Sequence, residues 1–392
     1  MKTISRTVWI LSLVSLFADV ASEMLYPIVP TYLREIGFSV LLIGVLEGFA
    51  GFTAGLTRGY FGKMSDEKGV RLPFIRVGYF LSAVSKPMMA AFVYPLWVFV
   101  ARTTDRLGKG IRTAARDALL SANATPATKA TVFGFHRAMD TAGAAAGPAL
   151  ALVFLLLFPG EYRWLFVLAF IPGLVSVGLT FFLKEEQRKV STIRNAGFFS
   201  FMSFWKISSP DYRKLVSGLL FFALFNSADV FLLLKTKEVT GSDTITIGAY
   251  ILYNLVFAAA SYPLGRLADR VGIRRVLVGG LVVFATVYLL FGIADSIALL
   301  VTAFVLYGIY AACTEGISKA WITNLSHHRD TATAVGFFAS FESVCTLLAS
   351  IIAGALWTAF GSTATFLVSA IAALMVAVFI TLIRVKTPVP EA

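Results

Sequence analysis

Cysteine and histidine are almost absent from this sequence: 392 residues hold two cysteines, Cys313 and Cys345, and three histidines, His136, His327 and His328. Two lone cysteines in apolar stretches build no disulfide framework and read as small core residues. With so few soft ligands, no metal site is expected. Charge is scarce as well, at 14% of residues against 58% hydrophobic, where a soluble domain carries about 25% charged residues. The chain is therefore read as an integral membrane protein. It lacks segments of alternating polarity, and runs such as 149–158 and 276–293 are apolar on every face; that excludes a barrel and leaves helices. No glycine-rich loop follows a strand, so Gly108-Lys109 is not a phosphate site and no enzyme is expected.

A membrane-crossing helix takes roughly 20 apolar residues, so the length accommodates about twelve spans and no soluble domain. The first run follows Lys2 and Arg6 as a signal peptide would, but it continues through Asp19 without a cleavage site and is read as a retained span. The spans expected are 8–33, 40–61, 73–93, 96–120, 131–158, 162–183, 214–236, 244–264, 274–293, 296–322, 331–358 and 362–384. The organisation predicted is a six-helix bundle over 1–183, a linker over 184–213 and a second six-helix bundle over 214–392. Within the linker, Phe198, Phe199, Phe201, Phe204 and Trp205 lie among serines and basic residues, either as an amphipathic helix on the membrane or as a merely aromatic connection. Lys and Arg concentrate after the even-numbered spans, so both termini are expected in the cytoplasm and the net charge of +12 marks topology rather than a nucleic-acid partner.

The sequence repeats itself. Gly62, Asp66, Gly69 and Arg71 recur as Gly265, Asp269, Gly272 and Arg274; the second copy has Arg270 where the first has Glu67, and ends in Arg274-Arg275 where the first has only Arg71 in its basic tail. Gly134-Phe135 with Asp140 recurs as Gly336-Phe337 with Glu342, and Lys109-Gly110-Ile111 as Glu315-Gly316-Ile317. Repeats of this kind in transporters place a binding site near the bilayer midplane.

These motifs resemble those of the major facilitator superfamily, and the likeness covers essentially the whole chain. The repeated loop is similar to that family's signature between the second and third helices, which implies a conformational gate at Gly62, Asp66, Arg71, Gly265, Asp269, Arg270 and Arg274; Arg112 and Arg116 are expected to supply Asp66 with a partner. Gly143, Gly147 and Pro148 resemble the family's antiporter motif, which implies export, and Arg102 falls where the family carries a membrane-embedded arginine. The charged run from Asp105 to Arg112 is similar to a subgroup of bacterial transporters.

A charge at the bilayer centre costs about 2.5–3.5 kcal/mol, so retained ones should face a wet cavity or a partner. Asp19 and Glu23, four residues apart, share one helical face and are candidate proton carriers together with Arg102, Asp105 and Asp140. Candidates for the substrate cavity are Glu47, Arg106, His136 and Arg137 in the first half, and Asn226, Asp229, Tyr250, Tyr253, Asn254, Glu315, Lys319 and Glu342 in the second. A static salt-bridge network is the competing reading of the first group. The function expected is proton-coupled export of a small polar or amphipathic molecule by a monomeric transporter of the bacterial inner membrane, with the proton gradient in place of a cofactor. Proton-coupled uptake, and export of a metal ion, a siderophore or a lipid, are alternatives that the residues leave open.

Overall fold

The computed structural model describes residues 4–26, 29, 32–33, 37–38, 40–92, 94–185 and 197–383, and these are helical with short connections. The helices are α1 (Arg6–Glu23), α2 (Val40–Lys68), α3 (Leu72–Ala91), α4 (Pro95–Ala122), α5 (Lys129–Leu157), α6 (Tyr162–Thr180), α7 (Pro210–Ala223), α8 (Val230–Thr240), α9 (Asp243–Val271), α10 (Ile273–Ile293), α11 (Ile297–Asn324) and α12 (Thr331–Leu382). Local chemistry sets many of the ends. The Ser5 hydroxyl accepts the Val8 N–H to start α1, and the Ser209 hydroxyl does the same for Tyr212 at the start of α7. The N-terminus of α3 is capped from a distance, since Glu185 Oε2 accepts the N–H of Arg71 at 2.8 Å and of Leu72 at 2.9 Å.

Two features of the spans matter. The seventh span is interrupted, with α7 ending at Ala223 and α8 starting at Val230; Asn226, Ser227 and Asp229 occupy the break, and such residues compete with a helix for backbone hydrogen bonds. The last two spans, taken together as α12, are two helices that meet at a kink at Gly361 with no loop between them, and its φ 83° and ψ 172° suit glycine and little else. The linker is also less regular than an amphipathic helix. A 3₁₀ helix covers Phe198–Ser203 and one α turn covers Phe204–Ile207; Phe201 and Phe204 are buried, whereas Phe198 and Phe199 are exposed.

The chain divides into two compact units, one of residues 1–123, 139–204 and 328–340, the other of 124–138, 205–327 and 341–392. The division cuts through α5 and α12, so each unit holds the opening turns of a helix whose remainder lies in the other. In the first unit α4 packs on α2 and α3, and α6 on α1 and α3; in the second, α11 packs on α9 and α10. Many side chains that face outward are large and apolar, such as Leu156, Phe181, Ile207 and Phe360, as expected where the surroundings are lipid.

Candidate functional site

Three clusters carry the chemistry, and the first lies in the first unit. The helix α1 meets α5 closely, because a Cβ on Gly143 would fall 2.3 Å from the Leu16 carbonyl oxygen and one on Gly147 would fall 2.6 Å from the Met24 nitrogen. Small residues allow that approach, and α5 continues through Pro148 as one helix. The contact brings Asp19 beside Asp140, and Lys109 of α4 stands near both Asp19 and Glu23. Glu23 also feels Arg106 and Lys86.

Where α3 packs on α4, Lys86 Nζ of α3 donates to Asp105 Oδ1 of α4 at 2.7 Å and to Ser22 Oγ at 3.2 Å, with Arg102 and Arg106 flanking the pair. Arg112 donates to Ser82 and lies 4.2 Å from the centre of the Tyr79 ring. Arg116 donates to Asp117 at 3.0 Å and to Ser15 at 3.1 Å, and stands 3.9 Å from Asp140. These are buried side chains, which corrects the expectation that Arg112 and Arg116 would serve Asp66. Sequence reading passed over Lys86, although a lysine inside the apolar span 73–93 is the same kind of signal as Asp19, and gave Lys109 and Asp117 no site role.

The second cluster is the repeated loop. Asp66 Oδ2 accepts the Thr333 N–H at 2.7 Å and its hydroxyl at 2.9 Å, while Oδ1 takes Arg71 at 3.1 Å. In the other unit, Asp269 Oδ2 accepts the Thr131 N–H at 2.7 Å and its hydroxyl, and Oδ1 accepts the Ala130 N–H at 3.1 Å. Each aspartate thus sits at the N-terminus of a helix, where backbone N–H groups lack partners and the dipole favours an anion. Gly62 and Gly265 permit the approach, since a Cβ would lie 2.5 Å from the Ala332 oxygen and 2.4 Å from the Ala130 oxygen. Gly69 and Gly272 turn the chain after each aspartate with φ of 64° and 104°.

The copies differ in their arginines. Arg71 serves Asp66, whereas its counterpart Arg274 donates to the carbonyls of Ile380 at 2.7 Å, Thr381 at 2.6 Å and Ile383, closing the end of α12. Arg270 is not among the described partners of Asp269. Asp66 lies beyond the apolar run that ends near Phe61, and burial pushes its carboxyl up to about 7 against the lowering pull of Arg71 and Thr333.

The third cluster, in the second unit, gathers around the interrupted seventh span. Asp229 Oδ1 accepts the Tyr307 hydroxyl at 2.7 Å, Asn226 Nδ2 donates to the Tyr310 hydroxyl at 3.1 Å, and Ser227 and Tyr288 share a hydrogen bond of 3.1 Å. The Tyr253 ring lies 4.9 Å from Tyr307, and Tyr250 6.0 Å from Tyr253. Asn254 turns back to the carbonyl of Tyr250 at 3.0 Å. Glu315 pairs with Arg137 at 3.0 Å, which draws Arg137 to this cluster. Lys319, one turn beyond Glu315, and Glu342 on α12 are half-buried, and His136 is buried. The side chain of Glu47, with Pro27 and Pro30, lies outside the described residues. Among the described residues, no group of three histidine, cysteine or acidic side chains could hold a metal ion.

The profile of the major facilitator superfamily matches residues 11–252 and 216–392. The chain is 33% identical to an uncharacterized MFS-type transporter of Methanocaldococcus jannaschii, over 91% of this chain and 89% of that protein. It is 32% identical to a multidrug efflux pump of Mycolicibacterium smegmatis, over 40% of this chain and 31% of the pump. The crystal structure of the human organic anion transporter MFSD10 superposes with a TM-score of 0.83 over 96% of this chain and 99% of that one, at 17% identity, which speaks to fold alone. Duplicated loop, twelve-span helical architecture and sequence match agree: the chain is a multi-pass membrane transporter and belongs to the major facilitator superfamily.

Proposed function

We propose that this protein is a secondary transporter that works by alternating access and exports a small molecule in exchange for protons. The observation that carries the reading is the contact between Asp19 and Asp140 beside Lys109. Two carboxyl groups placed side by side repel when both are charged, so the pair favours holding one proton. Held inside a helical bundle, such a pair takes up and releases that proton when its surroundings change, and Lys109 can stand in as counter-ion once it leaves. One proton moving through 100 mV supplies about 2.3 kcal/mol, and one pH unit adds about 1.4. That suffices for a steep substrate gradient without a cofactor.

Export is supported by the glycine contacts of α5 on α1 at Gly143 and Gly147, and by the likeness to a multidrug efflux pump. The bland reading of the same charges, a static network, is favoured for Lys86–Asp105, where both partners are buried and satisfied at 2.7 Å. We place the protein in the bacterial inner membrane as a monomer, with both termini in the cytoplasm. The substrate is carried unchanged, so no catalytic residue is assigned.

The test is reconstitution in liposomes with an internal pH dye, comparing wild type with Asp19→Asn, Asp140→Asn and Glu23→Gln while candidate substrates are added. Substrate-dependent proton movement should vanish in the first two variants. Proton movement that survives both would remove this pair from coupling.

A further inference from the structure

Asp229 occupies the N-cap position of α8, yet its carboxylate makes no cap hydrogen bond. An aspartate there ordinarily accepts an N–H from the first turn. This one accepts the Tyr307 hydroxyl through Oδ1, and its other oxygen has no described partner. Three residues earlier, Asn226 spends its amide nitrogen on Tyr310, and its Oδ1 is buried with no partner at all. A buried acceptor without a donor is costly and rare in a native structure, so it asks for a group that supplies N–H or O–H.

The surroundings restrict that group further. The rings of Tyr253, Tyr307 and Tyr310 form a run, with centroids 4.9 Å and then 5.4 Å apart, the latter pair stacked. The charged side chain acting on Asp229 is a second carboxylate, Glu315, which is itself paired with Arg137 at 3.0 Å. A carboxylate with no ion pair among the described residues, a free acceptor oxygen and ring faces in one place match a cation, because a ring face attracts positive charge and repels anions. The first unit is the opposite environment, with Lys86, Arg102, Arg106 and Lys109 beside its acids. Interrupted helices in transporters commonly line the substrate cavity for this reason: the break exposes polar groups that a continuous helix would consume.

We infer that the break in the seventh span binds an organic cation, a protonated amine joined to an aromatic or apolar body. Asp229 and the free oxygen of Asn226 accept its N–H groups, and Tyr253, Tyr307 and Tyr310 receive the body. The inference rests on the transporter reading above and names its substrate class. Proton coupling belongs to Asp19 and Asp140, so the two ideas fail separately.

The experiment measures equilibrium binding of ethidium, a planar aromatic cation with two amino groups, to the purified full chain by fluorescence anisotropy without any gradient. Competition uses three compounds that share one ring: phenethylammonium, 2-phenylethanol and phenylacetate. Wild type should bind ethidium and release it to phenethylammonium but not to phenylacetate. Asp229→Asn and Tyr253→Ala should each weaken binding about tenfold, with Asp229→Glu retaining most of it. Asn226→Leu, near in shape and lacking the free oxygen, should weaken it about threefold and provides the reading if Asp229→Asn does not fold. Absence of ethidium binding to wild type, equal binding by wild type and Asp229→Asn, or displacement by phenylacetate as readily as by phenethylammonium overturns the inference. Substrate-dependent proton movement in Asp19→Asn liposomes bears on coupling and leaves this binding result intact.

Discussion

One oxygen of Asp66 takes both the backbone N–H and the hydroxyl of Thr333, at 2.7 Å and 2.9 Å. Thr333→Val keeps the backbone bond and removes the hydroxyl, so it should lower stability by about 1 kcal/mol. Asp66→Asn removes the charge from both bonds and from Arg71 and should cost about 1.5–3 kcal/mol. Thermal unfolding in detergent reads both, and wild-type midpoints in the pair would show that this contact holds nothing. Thr131→Val, opposite Asp269, should behave as Thr333→Val does.

The same carboxyl predicts a pH effect. Its proton is held up to about pH 7 by burial, with Asp330 adding in the same direction. A group whose proton is held more tightly here than in water stabilises this arrangement fully below the ordinary carboxylate range, and that contribution is lost as pH rises through about 7. The midpoint of unfolding should therefore fall between about pH 5 and pH 8 in wild type, and by less in Asp66→Asn. Parallel curves for the two proteins would assign the titration elsewhere.

Gly143→Ala and Gly147→Ala test the contact of α5 with α1. The added methyl groups would meet backbone atoms at 2.3 Å and 2.6 Å, which cannot swing aside as a side chain can. Overpacking of this kind costs about 1–3 kcal/mol each. Gly248→Ala, with nothing within 4 Å, is the control and should leave the midpoint within about 0.5 kcal/mol of wild type. Gly143→Ala as stable as Gly248→Ala would mean that the helices do not approach so closely.

Lys86→Met strands the Asp105 carboxylate inside the bundle. Breaking one side of a buried pair costs about 3–5 kcal/mol, and the flanking Arg102 and Arg106 place this case at the lower end. Lys86→Met combined with Asp105→Leu should recover much of the loss, because no lone charge is left behind. A double variant as damaged as the sum of the singles would argue that the pair makes no direct interaction.

The architecture was legible because a crossing helix writes itself as an apolar run of fixed length, and the repeat revealed which runs correspond. Partners were less legible. Asp19 and Glu23 are joined in sequence by the helical period, a local rule, yet the carboxyl that meets Asp19 comes from Asp140 on another helix. Asp66 takes Arg71 from its own loop, while Arg112 and Arg116, bound to Ser82, Ser15 and Asp117, are occupied deeper in α4. Long-range pairing depends on how helices cross, which no spacing encodes. The interruption of the seventh span did leave a trace, since Asn226, Ser227 and Asp229 interrupt a run that was read as continuous from 214 to 236. Hydropathy averages hid it; the turn chemistry of those residues would have marked it.

Gly361 joins two spans by a single residue, with helix on both sides. A protease needs an extended stretch of several residues to seat its substrate, and an inserted tag needs a loop that tolerates added length. Neither exists at this joint. Limited digestion should leave the last two spans as one fragment, and an epitope placed at Gly361 should abolish expression where one placed after Gly241, in the left-handed turn between α8 and α9, is accepted.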